Sequence, residues 1–135
     1  MEPQVVTFPP CPIRDVRARY FHQTSCPSDF AEVIVDFEPW EEGFAFEVAN
    51  GATAEDHFRS ELPGFRAALV EGIRQELAEK VTDVPLAVAV VLRHLRVHEV
   101  DSRDASFRMA GRVAVRVALD RLHGPPPRPK RRHPS

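Results

Sequence analysis

The stretch RVHEVDSRDASFRMAGRVAVRVAL, residues 96–119, changes periodicity in its middle, and that change sets the architecture of the chain. Its first residues close a β-rich run that ends at Val100. From Ser102 to about Leu122 the period is helical. Phe107, Ala110, Gly111, Ala114, Val117 and Ala118 fall on one narrow face of small residues, suited to tight packing on a sheet. Asp101 is expected to cap this helix, with Asp104 at its third position, where a carboxylate answers the free N–H groups and positive dipole of the first turn. Gly124 and three prolines end it. His98 stands just before the junction, where a loop tip would present it.

Working outward, LAVAVVLRHLRVHEV (86–100) reads as a long strand opened by Pro85. Its first half is apolar on both faces, as in a strand covered by a helix on one side. Its second half turns Arg93, His94, Arg96 and His98 toward solvent. The apolar face loses register across Leu92–Leu95, so a bulge or bend is expected there. Before it, Leu62, Phe65, Leu69, Ile73 and Leu77 recur at helical spacing over Leu62 to about Val81, and Pro63 confines the start to near Ser60. Gly72 costs this helix about 1 kcal/mol against alanine, and a close backbone approach to the sheet would account for it. TAEDHFRSEL (53–62) fits either an early helix start or a longer loop.

Three shorter strands come first: Ile13 to His22, with Val16, Ala18 and Tyr20 opposite Arg17 and Arg19; Phe30 to Phe37; and Phe44 to Val48, whose Phe44, Phe46 and Val48 share a face. Their connections favour an antiparallel meander. The order β-β-β-α-β-α predicts an α+β fold, a four-stranded sheet with two helices on one face. Residues 1–12 read as a flexible proline-rich arm, 13–123 as the domain, and 124–135 as a disordered basic, proline-rich tail.

A chain of 135 residues has room for one core. No apolar run approaches the roughly 20 residues needed to cross a bilayer, and MEPQVVTFPPCPI lacks the basic and apolar segments of a leader. A cytoplasmic protein with no membrane partner is expected. Cys11 and Cys26 lie in proline-flanked loops and are read as reduced thiols. Arginine outnumbers lysine 16 to 2, which is read as codon bias. The tail GPPPRPKRRHPS carries Arg128, Lys130, Arg131 and Arg132 and no acid, which leaves the body 14 basic against 20 acidic groups, a net of −6. Such a body argues against broad phosphate binding, so nucleic-acid contact is confined to a loop tip or the tail.

Catalytic motifs are sparse. The six glycines, at 43, 51, 64, 72, 111 and 124, make no phosphate-cradling loop, and neither Lys80 nor Lys130 follows a glycine. There is no nucleophile elbow and no HExxH. His94 and His98 on one strand would stand about 13 Å apart, too far to share a metal. Glu41-Glu42 and Glu55-Asp56 are turn acids, and Ser102 and Ser106 read as helix-start residues. No enzyme, cofactor or bound nucleotide is expected.

The junction resembles the end of domain IV of elongation factor G and of the tetracycline-resistance ribosomal protection proteins. Their pattern Tyr-His-x-Val-Asp-Ser-Ser-Glu, followed two residues later by Phe and an alanine-rich helix, corresponds here to Val97-His98-Glu99-Val100-Asp101-Ser102-Arg103-Asp104 with Phe107 and Ala110. QTSCPSDFAEVIVDFEP (23–39) aligns with the stretch that begins Gln-Ser-Gly-Gly-Arg-Gly. GFAFEV (43–48), FRAALVEGIRQEL (65–77) and Pro85 match the next strand, the first helix and the proline opening the last strand. The similarity covers about residues 14–120 in serial order.

The resemblance implies a β-β-β-α-β-α domain with a left-handed β-α-β crossover, a fold shared with the RNase P protein and part of a small-subunit ribosomal protein. It also implies two tip loops that reach the messenger–tRNA duplex in the decoding centre, and the positions that carry over are Gln23 and His98. The departures are substantial. Ser25-Cys26-Pro27-Ser28 replaces Gly-Gly-Arg-Gly, His22 replaces the preceding lysine, and the segment before the first helix is longer. The GTPase is absent from the matched stretch, so GTP-driven translocation is not expected of it.

The function expected is therefore that of a stand-alone, non-enzymatic domain that binds the ribosome, or rRNA or tRNA, in a translation-related role. His22, Gln23, Arg96 and His98 would act at the tip, with Arg128, Lys130, Arg131 and Arg132 in the tail. The alternative is a protein-interaction module, with a homodimer among its forms, that kept the fold and lost the RNA role. A basic tip favours the first and an acidic tip the second.

Overall fold

The computed structural model describes residues 6–22, 29–53, 61–97 and 103–124. The elements run β1 (Ile13–His22), β2 (Asp29–Pro39), β3 (Gly43–Thr53), α1 (Leu62–Lys80), β4 (Ala87–Arg96) and α2 (Asp104–His123). Their order and type match the sequence reading, and both helices pack on one face of a four-stranded sheet. Val16 and Ala18 of β1, Val33, Val35 and Phe37 of β2, and Val88, Val90 and Leu92 of β4 form one core with Leu69, Ile73 and Leu77 of α1 and Phe107, Ala110 and Ala114 of α2.

The meander is overturned. The sheet order is β1-β2-β4-β3, with β2 antiparallel to both β1 and β4, and β3 parallel to β4. The short link after β2 steps across the entry of β4, where the Trp40 and Gly43 amides donate to the Ala87 and Leu86 carbonyls at 2.8 Å each. The reason lies in β4 itself. Ala87–Leu92 is apolar on both faces and buried throughout, so it belongs in the sheet interior, where both its edges are hydrogen-bonded.

The bulge expected in β4 is present. Ile34 pairs with His94 and Val35 with Leu92, which leaves Arg93 as the extra residue. Val88, Val90 and Leu92 face the helices before it, and Leu95 and Val97 after it. Arg93, His94 and Arg96 therefore all reach the open face. A second irregularity in β1, between Ile13 and Val16, holds Asp15 at φ 55°, a left-handed conformation that Asp tolerates better than most side chains.

One carboxylate serves both irregularities. Asp36, fully buried on the open face of β2, accepts from the Asp15 backbone N–H at 2.9 Å and from Arg93 Nε. The hydrogen bond and charge of Asp36 raise the Arg93 pKa above its ordinary value.

Gly72 approaches α2 and not the sheet. A Cβ there would stand 1.9 Å from the Arg108 carbonyl oxygen, and one at Gly111 would stand 2.4 Å from the Leu69 carbonyl oxygen. The small face of α2 thus serves a backbone-to-backbone helix crossing in addition to the sheet. Charged pairs rim the crossing: the buried Glu76 carboxylate accepts from Arg116 Nε at 2.9 Å, and Arg112 donates to Gln75 and Glu79 at 2.9 Å each.

The start of α2 also differs from expectation. Its N-cap is Arg103, in extended conformation, and Asp104 is the first helical residue, not the third. Its carboxylate remains in the first turn, where the dipole favours it. Asp101, the expected cap, lies outside the described residues. Within the expected arm, Phe8 is buried at 3% exposure and meets Phe37 edge-on at 6.4 Å. Its N–H donates to the Pro85 carbonyl at 3.0 Å, and its carbonyl accepts from Ala87 N at 2.9 Å. Residues 7–8 are thus part of the folded body.

Candidate nucleic-acid interface

The pairing directions collect several chain ends at one edge. β1 and β4 both run antiparallel to β2, and β3 runs with β4. The end of β1 at His22, the start of β2 at Asp29, the end of β3 at Thr53 and the end of β4 at Arg96 therefore lie together. Both helices begin there as well. Phe65 stacks on Phe107 with ring centroids 4.6 Å apart, and Gly64 lies beside the Asp104 carboxylate. The connections 23–28, 54–60 and 98–102 thus all leave from one end, toward which the positive ends of two helix dipoles point. At the opposite end, Val6, Phe8, Val81, Val84 and Leu122 line a cavity of about 210 Å³.

On the sheet face not covered by helices, the rows nearest this end are informative. Phe21 pairs with Phe30, and the next row reads Arg19, Glu32, Arg96 across β1, β2 and β4. The row after that reads Arg17, Ile34, His94. The Arg19 and Arg96 guanidiniums each lie 5.7 Å from the centroid of the Phe30 ring. That geometry allows cation–π attraction and holds both cations beside an aromatic surface. Phe30 is buried, while Phe21, which meets it edge-on at 6.4 Å, is 52% exposed.

Charge separates along this face. Away from the loop end, two carboxylates of β2 are matched: Asp36 with Arg93, and Glu38 with Arg14 at 2.7 Å. Glu38, by hydrogen bond and charge, raises the Arg14 pKa. Toward the loop end, the two rows holding Arg17, Arg19 and Arg96 contain a single carboxylate, Glu32, so this part of an otherwise acidic body is basic.

The predicted site residues divide unevenly. His22 is the last residue of β1, with its backbone opposite Asp29. Arg96 is the last residue of β4 and exposed. In the chain, Gln23 follows His22 directly and His98 lies two residues beyond Arg96. Gln23, His98, Arg128, Lys130, Arg131 and Arg132 lie outside the described residues. The sequence reading missed the Phe21–Phe30 pair with Arg17 and Arg19 beside it. The alternation that sends Arg17 and Arg19 to one side was legible, whereas the register joining Phe21 to Phe30 was not. Among the described residues no helix is long and apolar enough to cross a membrane.

This arrangement defines a class: a small α+β domain with a mixed four-stranded sheet, helices on one face and, on the open face near the loop end, Arg17, Arg19 and Arg96 beside Phe21 and Phe30. Residues 11–121 match the family model for elongation factor G, domain IV, and the chain belongs to that family. It is 34% identical over 112 residues to elongation factor G 2 of Streptomyces coelicolor, a match covering 75% of this chain and 16% of that protein. It is 32% identical over 108 residues to elongation factor G 1 of Syntrophomonas wolfei, covering 78% of this chain and 15% of the relative. An elongation factor G-like protein of Synechocystis is 29% identical over 102 residues, covering 75% of this chain and 15% of the relative. The chain therefore spans about one-sixth of the length of these relatives. A crystal structure of a protein from Thermus thermophilus shares the fold, with a TM-score of 0.55 at 22% identity over 82% of this chain and 16% of the other.

Proposed function

We propose that this domain is a non-enzymatic, translation-related binding module that docks on the ribosome, or on structured rRNA or tRNA, through its loop end. The observation that carries the reading is charge placement: a body of net −6 turns Arg17, Arg19 and Arg96 toward the end from which connections 23–28 and 98–102 leave. Such a distribution favours a localised phosphate contact over a general one. Kinship with elongation factors supports a ribosomal setting. In this reading Gln23 and His98 contact RNA at the tip, His22 and Arg96 support them, and Arg128, Lys130, Arg131 and Arg132 add sequence-independent attraction.

Co-sedimentation with 30S and 70S particles tests the proposal. The full chain is expected to pellet with them at low salt and to be released as salt rises. Gln23→Ala combined with His98→Ala should weaken the association while leaving the thermal transition in place. Absence of co-sedimentation at low salt would refute the reading.

A further inference from the structure

We infer that the open sheet face beside the loop end is a second RNA contact, one that takes an unpaired strand: one base stacks on Phe21 while Arg17 and Arg19 hold successive phosphates along β1, with Arg96 flanking the strand. The inference deepens the RNA-binding reading above and concerns a surface separate from the tip connections.

Several observations converge on it. Phe21 is one of only four large apolar side chains exposed among the described residues, with Val6, Trp40 and Val48, and it alone adjoins the basic rows. Its ring is braced edge-on by Phe30, which itself has two guanidiniums within 5.7 Å of its centroid. A braced ring loses little conformational freedom when a base lands on it, so stacking is retained as net affinity. Arg17 and Arg19 stand two residues apart on β1, about 7 Å, and Arg96 lies two strands away, about 10 Å. Arg17 and Arg19 therefore line a track along β1 that leads to Phe21, with Arg96 on its far side. Aromatic rings interleaved with cations on a sheet surface fit single strands, because every base has a π-face and no groove has to be matched. A duplex offers its phosphates to the arginines but keeps its bases stacked, leaving Phe21 without a partner. Glu32, in the middle of the arginine row, repels a phosphate placed directly above it and so keeps the backbone on the Arg17 and Arg19 side.

Fluorescence anisotropy on the full chain tests the inference, with a labelled oligouridylate and a labelled hairpin of equal length at low salt. Phe21→Ala is expected to weaken oligouridylate binding about 5- to 100-fold and to change hairpin binding less than about 2-fold. Phe21→Tyr should restore most of the loss. Because Phe21 is half exposed, its truncation should leave the fold intact, which the far-ultraviolet spectrum checks. Arg19→Ala should lower affinity for both probes and flatten the salt dependence. Unchanged oligouridylate affinity in Phe21→Ala, or equal loss on both probes, overturns the inference. Retained ribosome co-sedimentation together with no oligouridylate binding also overturns it while leaving the proposed function standing. Lost co-sedimentation with Phe21-dependent oligouridylate binding has the opposite consequence, supporting this contact and removing the ribosomal reading.

Discussion

Replacing Gly72 by alanine tests the helix crossing on which the domain's rigidity depends. Taken alone, the change should stabilise a helix interior by about 1 kcal/mol, since glycine carries the greater backbone entropy. Here the new methyl would stand 1.9 Å from the Arg108 carbonyl oxygen and 2.8 Å from its carbonyl carbon. Ordinary contacts lie near 3.5 Å or beyond. Both neighbouring atoms are backbone, so no rotamer change relieves the clash, and α1 and α2 must separate by roughly 1.5 Å. A gap of even 0.5–1 Å forfeits about a quarter to a half of each dispersion well. The contacts affected include the Phe65–Phe107 stack and the approach of Gly111 to Leu69.

Overpacking of this kind costs about 3 kcal/mol or somewhat more, so the net destabilisation should be about 2–3 kcal/mol after the propensity gain. At roughly 3–5 °C per kcal/mol for a chain of this size, the transition should fall by about 6–15 °C. Gly64→Ala supplies the control. Its Cβ would meet only the two Asp104 side-chain oxygens, the nearer at 3.3 Å, so that variant should be neutral or up to about 1 kcal/mol more stable. Urea and thermal unfolding of both variants decide the matter. If Gly72→Ala is as stable as the parent, the helices do not cross where Gly72 and Gly111 meet.

Removing the Asp36 carboxylate with Asp36→Ala should destabilise by about 1–3 kcal/mol, because the Asp15 N–H loses its acceptor in a partly buried site; Asp36→Asn keeps an acceptor and should cost less in the same urea titration. At Asp15, φ 55° makes Asp15→Gly neutral or slightly stabilising and Asp15→Val destabilising by about 1–2 kcal/mol, an ordering that thermal melts would reverse if the backbone were ordinary there. Phe8→Ala should cost about 3 kcal/mol for its loss against Phe37; a variant of unchanged stability would mean that residues 7–8 are not part of the core. Deleting residues 124–135 should reduce the slope of log affinity for the ribosome against log salt by about 3, from four cations at roughly 0.7–0.9 each, and an unchanged slope would place the tail away from RNA.

What could be read from sequence follows from which interactions are local. The helical period of Leu62, Phe65, Leu69, Ile73 and Leu77 and the loss of register near Leu92 are written in neighbouring residues, and the structure contains both. Strand order is not local. The three-residue link between β2 and β3 has the length of a hairpin turn, yet β4, more than forty residues later in the chain, takes the position between them. Gly72 announces a close approach without naming the partner, because only the tertiary structure brings Arg108 to it. The site shows the same division. His22 was visible as a strand end and Arg96 as a solvent-facing strand residue, while the neighbourhood of Phe21, Phe30, Arg19 and Arg96 depends on two registers at once.

The bulge at Arg93 links fold to site. In a strict alternation, Val88, Val90 and Leu92 facing the helices would be followed by His94 and Arg96 facing them too, with Leu95 and Val97 in solvent. Burying two polar side chains under α1 and α2 would cost more than the ladder bonds gained there. One extra residue reverses the facing for the rest of the strand. Leu95 and Val97 complete the core, while His94 and Arg96 join the open face next to β1 and β2. The bulge has its own requirement, an anchor for the displaced Arg93, and Asp36 meets it while also accepting from Asp15 in the β1 irregularity. The same buried carboxylate therefore fixes the course of both strands that carry Arg17, Arg19 and Arg96. The gathering of these arginines on the open face is thus a consequence of how two irregular strands are pinned to β2, and not of a locally basic sequence.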